Sequence, residues 1–136
     1  MQRLVDDAGL AGRIALDSAG TGDWHVGEPA DPRTRAAAAR RGLAIPHRAR
    51  QLITADLEHF DLLVAMDRDN LANIRRMAGG RAEPASQLLR AFDPDAPEGA
   101  EVPDPYSGGP AGFDDVLDLC ERACRGLLRY AWDRLV

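Results

Sequence analysis

The sequence contains no lysine: all 17 of its basic residues are arginine. A bias toward GC-rich codons accounts for that without any functional demand for guanidinium. Cysteine is nearly absent too, with only Cys120 and Cys124, which excludes a disulfide framework and fits free thiols in a reducing compartment. No apolar run approaches the length that crosses a bilayer. The first ten residues, MQRLVDDAGL, hold one arginine and no apolar core segment, so neither a secretory nor a transit peptide is expected and the cytoplasm is the default location. The formal charge of −5 and an isoelectric point near 5.1 argue against a nucleic-acid or anionic-membrane surface. What remains is ordinary globular composition, 45% hydrophobic and 29% charged over 136 residues, enough for a single domain spanning 1–136 with one core.

Strand and helix signals alternate along the chain. RIALDSA (13–19) predicts a strand, with Ile14 and Leu16 alternating. In ADPRTRAAAARRG (30–42), Asp31 is the N-cap, Pro32 takes the first helical position and Gly42 is the stop. FDLLVAM (60–66) is a continuous apolar run of strand length, as in a parallel strand buried on both faces. Asp67 or Asp69 caps a following helix with Leu71, Ile74 and Ala78 on one side and Gly79-Gly80 at its end. A short strand is expected in SQLLRAF (86–92), then a loop rich in proline, glycine and acid from 93 to 112. The final helix, Phe113 to Leu135, has Asp114 and Asp115 placed for its first turn and an apolar stripe that includes Cys120 and Cys124. Such alternation implies an α/β fold, a three-layer open parallel sheet flanked by helices. Residues 2–8 resemble the end of a helix too short to be stable alone.

Two loop segments carry candidate chemistry. In VPDPYSGG (102–109) Asp104 precedes a proline and Tyr106 precedes two glycines. That spacing alone suits a turn better than a catalytic carboxylate. In DSAGTGDWHVGEP (17–29) a strand ends in glycines and presents Trp24 and His25. Ligands of open α/β sheets bind at such carboxyl ends, although Trp24 could equally anchor the loop on the core. Gly20-Thr21-Gly22 is not a dinucleotide fingerprint, since no third glycine or helix follows at the required spacing.

Taken in order, DSAGTGDWHVGEPADPR, HRARQL (47–52), FDLLVAMDRDNL (60–71) and VPDPY before a final helix resemble the low-molecular-weight protein-tyrosine phosphatases over nearly the whole chain. The resemblance implies a four-stranded parallel sheet and metal-free, cofactor-free hydrolysis of phosphotyrosine proteins through a cysteinyl-phosphate. By match to the family, Asp104 is the general acid that protonates the departing phenolate and then the base on water. Tyr106 and Trp24 match the aromatics around the substrate ring, Ser18 matches a serine that props the phosphate loop, and His47 a buried structural histidine. Ser107 stands where many members have a second tyrosine.

The family's nucleophile lies in a loop of cysteine, five residues, arginine, then serine or threonine, after a first strand. No such pattern occurs here: the sixth residue after Cys120 is Gly126 and after Cys124 is Tyr130. Both cysteines are expected in the core. Aligned to the family, Met1 falls within the first helix, so the first and central strand and the phosphate loop are expected to be missing, roughly twenty residues. Deleting that strand would leave 13–19 and 60–66 about 9–10 Å apart, twice the interstrand spacing. The expectation is a phosphatase domain inactive by itself. The alternatives are a non-catalytic binding domain that takes a strand from another chain, giving a dimer through the incomplete sheet, and, more weakly, an arsenate reductase, which would need relay cysteines on mobile segments.

Overall fold

The computed structural model describes residues 1–22, 26–81, 84–105 and 110–135, with only the backbone at 110 and 111. A parallel pair of strands lies between two helical layers. β1 (Leu62–Ala65) pairs with β2 (Ala85–Leu88), Leu62 opposite Ala85 and Ala65 opposite Leu88. Along β1, Leu63 and Ala65 pack into a core with Leu57, Leu71, Ile74, Ala78 and Leu88, while Leu62 and Val64 pack against a second core of Leu89, Val102, Ala123, Cys124 and Leu127. Burial on both faces is the reason this strand reads as an unbroken apolar run.

The helices begin and end where short-range chemistry says they should. α1 is Gln2–Asp7, and Gly9 takes φ 72° just past its end. This single short helix is held by packing and not by its own hydrogen bonds: Val5 is fully buried, and Arg3 donates to the Arg41 carbonyl at 2.9 Å. In α2 (Pro32–Arg40) the Asp31 carboxylate accepts the Arg33 N–H at 2.7 Å. α3 (Thr54–His59), which the sequence pattern did not signal, precedes β1. α4 (Arg68–Ala78) is capped by Asp67, which accepts the Asn70 N–H at 2.7 Å, and stops at Gly79 and Gly80, both at positive φ. Asp67, and not Asp69, is therefore the cap.

Three expectations change. Residues 13–19 do not form a strand; among the described residues they have no sheet partner, and only Gly20 bridges, in parallel, to Gln51. An extended segment becomes a strand only when a neighbour takes up its backbone groups. The strand expected over 86–92 is β2 for its first half and a 3-10 turn, Leu89–Phe92, for the rest. The last helix, α5 (Pro110–Arg134), starts three residues early, so Asp114 and Asp115 fall outside its first turn. Asp114 instead faces Arg40 and Arg41, each at 3.5 Å, and Arg41 also reaches Asp118 at 2.9 Å. These partly exposed pairs join α2 to α5 with modest energy.

α5 lies very close to the 3-10 turn at one point. A Cβ on Gly126 would overlap the Phe92 carbonyl oxygen. Alanine at a mid-helix glycine gains about 1 kcal/mol of propensity, but displacing packed backbone costs about 1–3 kcal/mol or more. Gly126→Ala should lower the melting temperature by several degrees. Gly112→Ala, whose Cβ would meet only the Pro105 carbonyl at 3.7 Å, should not, and thermal unfolding of the two variants tests the contact.

Candidate active site

Two chain segments meet at the carboxyl end of β1, where ligands of open α/β sheets are held. One is the proline-rich loop. The Val102 N–H donates to the Met66 carbonyl at 2.8 Å, immediately past β1. The neighbouring Glu101 carboxylate accepts the Arg68 N–H at 2.7 Å at the start of α4, and its carbonyl accepts from Arg90 at 3.0 Å. The backbone N–H of Arg68, and then its side chain, hold the Glu101 carboxyl below its ordinary range. Asp104, exposed, follows two residues after Val102.

The second segment is 17–21, fixed by a polar clamp. The Arg50 guanidinium forks onto both oxygens of Asp56 at 3.0 and 3.1 Å and reaches Asp17 at 3.1 Å. Main-chain bonds run Gly20 N–H to the Arg50 carbonyl (2.9 Å) and Leu52 N–H to the Gly20 carbonyl (2.8 Å). Asp56 is buried, 6% exposed, and also accepts the Ile53 N–H at 2.9 Å at the start of α3. Its carboxyl is held below the ordinary range, mainly by Arg50, against the opposing effect of burial. Asn70 donates to the Thr21 hydroxyl at 3.2 Å, joining this segment to α4. Asp17, Ser18, Thr21, Arg50, Asp56 and Asn70 together border a cavity of about 330 Å³.

The structure therefore brings Ser18 and Asp104 to the same end of β1, Ser18 on the cavity wall and Asp104 on the anchored loop. Trp24 and Tyr106 lie outside the described residues. His47 is exposed and not buried as the resemblance suggested, because it sits on a surface stretch beside Arg48, which bridges to Pro29. Cys124 is buried in the second core and Cys120 is half-buried against it. Burial pushes the Cys120 thiol up to about 11, so at neutral pH it is protonated and a poor nucleophile. The Arg50 clamp was missed: HRARQL contains the arginine, but both carboxylates it binds lie elsewhere in the sequence.

The pattern that defines the low molecular weight phosphotyrosine protein phosphatase family matches residues 1–135. The chain belongs to this family. It is 46% identical to the low molecular weight protein-tyrosine-phosphatase of Streptomyces coelicolor over 126 residues, 91% of this chain and 77% of that protein. Among solved structures it superposes on a protein tyrosine phosphatase from Entamoeba histolytica with Hepes in the active site, at TM-score 0.92 and 30% identity, covering 99% of this chain and 86% of that one. It also resembles the Drosophila arginine phosphatase DARP, at TM-score 0.85 and 28% identity, over 95% of this chain and 83% of the other. The α/β architecture with a parallel sheet between helices is the one these phosphatases share.

Arg50→Ala would orphan a buried carboxylate, and the expected loss is about 2 kcal/mol of stability. Because the Asp56 carboxyl is depressed below its ordinary 3.8, its contribution is complete above that pH and disappears as pH falls through the lowered value. Melting temperatures measured between pH 3 and 7 should fall more steeply at the acid end in the wild type than in Asp56→Asn.

Proposed function

We propose that this chain supplies the acid and substrate-orienting portion of a phosphotyrosine phosphatase site. The observation that carries the reading is the anchoring of the 101–104 loop on the Met66 carbonyl and the start of α4. It holds Asp104 at the strand end that the Ser18 segment also borders. Asp104 protonates the phenolic oxygen as the P–O bond breaks, and then takes a proton from the water that attacks the cysteinyl-phosphate. A phosphate dianion beside the carboxyl favours its protonated form and so suits the first of these roles. Trp24 and Tyr106 wall the aromatic ring of the substrate, and Ser18 supports the loop that cradles the phosphate.

Neither cysteine is followed by arginine at the sixth place and both lie on the inner side of α5, which supports a thiolate supplied by a segment outside these 136 residues. Turnover requires a Cys-x5-Arg loop to be joined to this body. Its N–H groups would stabilise the thiolate, and its arginine would grip the phosphoryl oxygens in a bidentate fork.

The test is a fusion that places a strand and a Cys-x5-Arg-Ser loop of the family's pattern ahead of residue 1. It should hydrolyse p-nitrophenyl phosphate and phosphotyrosine peptides, and Asp104→Asn should lower kcat on a phosphotyrosine peptide by roughly 10²- to 10⁴-fold, the usual worth of a general acid. Residues 1–136 alone should show no turnover. Full activity in Asp104→Asn would remove that residue from the mechanism, and preference for phosphoarginine over phosphotyrosine would reassign the substrate.

A further inference from the structure

Ser18 stands between two attachments to one residue. On its N-terminal side, Asp17 accepts from the Arg50 guanidinium at 3.1 Å. On its C-terminal side, the Gly20 N–H donates to the Arg50 carbonyl at 2.9 Å. The Asp17 carboxylate also reaches Ser18 itself: one oxygen faces Arg50, and the other accepts the Ser18 N–H at 2.8 Å. Among the described residues this is the only hydrogen bond that Ser18 makes, although the residue lies on the wall of the cavity at the candidate site.

Arg50 does not need Asp17 to keep its own place. Its fork is taken up by the buried Asp56 carboxylate at 3.0 and 3.1 Å, and Asp56 in turn accepts the Ile53 N–H at 2.9 Å. The contacts therefore run from a fixed end at the start of α3 to a half-exposed end at Asp17, whose side chain keeps 45% of its accessible surface. An ion pair that open to water adds little to stability. What it adds is position. Ser18 is bonded only through the carboxylate of its neighbour, so its main chain turns with that carboxylate, and a misplacement of about 1 Å near reacting groups can cost about 100-fold in rate.

We propose that Asp17 is a positioning residue of the candidate site: its carboxylate carries the fixed orientation of the Arg50 guanidinium to the Ser18 main chain, and so sets where the Ser18 hydroxyl meets the phosphate-cradling loop. This rests on the phosphatase reading above, in which Ser18 supports that loop. Asp17 acts through Ser18 and takes no part in the chemistry itself. Its two oxygens have separate tasks, which asparagine cannot reproduce together. An amide oxygen still accepts the Ser18 N–H, but the amide NH2 then faces the donors of Arg50.

The test has one arm on the 136-residue chain and one on the fusion described above. In the 136-residue chain, Asp17→Ala should speed amide hydrogen exchange at Ser18 by about tenfold and leave the slowest amides of β1 and α5 unchanged. In the fusion, assayed with p-nitrophenyl phosphate well below the melting temperature of each variant, Asp17→Ala should lower kcat by about tenfold or more, with Asp17→Asn nearer to alanine than to the wild type. A double-mutant cycle separates placement from a general structural effect. Ser18→Ala keeps the main chain and removes the hydroxyl, so in that background Asp17→Ala should cost less than about twofold, because residues that act as one unit are not additive. Losses that multiply in the double variant would overturn the proposal, and so would unchanged exchange at Ser18 or unchanged kcat in Asp17→Ala. A fusion inactive in its wild-type form would sink the phosphatase reading and the kinetic half of this proposal, while exchange at Ser18 would still decide whether Asp17 holds that residue in place.

Discussion

The demand of one short strand to be covered on both faces organises this molecule. β1 alternates Leu62 and Val64 toward α5 with Leu63 and Ala65 toward α3 and α4. Each face needs its own helical layer, because a parallel strand has no side that can be left to water. The position of the site follows from that requirement too, since the helical layers cover the faces of the strand and leave its end open. Met66, the first residue past the strand, has a free carbonyl there, and it is this group that captures the loop leading to Asp104.

Around that end the structure holds the candidate segments with charge-assisted hydrogen bonds, together with the burial of Val102 in the second core. Glu101 reaches the start of α4, where N–H groups lack helical partners and a carboxylate is favoured. Arg50 ties the segment bearing Asp17 and Ser18 to the start of α3 through Asp56. Both devices fix backbone position with a planar or bidentate group while leaving side chains such as Ser18 and Asp104 at the surface. The result is an open candidate site bordered by the cavity beside β1.

Much of this was legible in the chain itself. Asp31-Pro32 and Asp67 are caps because their carboxylates meet N–H groups two or three residues on, and Gly79 and Gly80 end α4 because only glycine takes positive φ there without strain. The unbroken apolar run at 62–65 announced a doubly covered strand. Other features resisted. RIALDSA has the alternation of a strand, yet it lies unpaired, while α3 forms without a strong pattern because Leu57 packs into the core and Asp56 ties its start to Ile53 and Arg50. His47 was placed in the core by resemblance and lies at the surface. The Arg50 clamp was invisible because Asp17 and Asp56 stand 33 and 6 residues from it.

By itself the sequence determined the features whose energies are settled within one helical turn or one strand: the caps, the stops, the apolar faces of α4 and α5, and the order of motifs that marks the family. Only the tertiary structure decided which extended segments are strands, which carboxylates meet which guanidinium, and that Ser18 and the Asp104 loop reach the same end of β1. Caps and stops depend on neighbours that the chain supplies at fixed spacing. Pairing and ion-pair geometry depend on partners tens of residues away, whose presence no local pattern encodes.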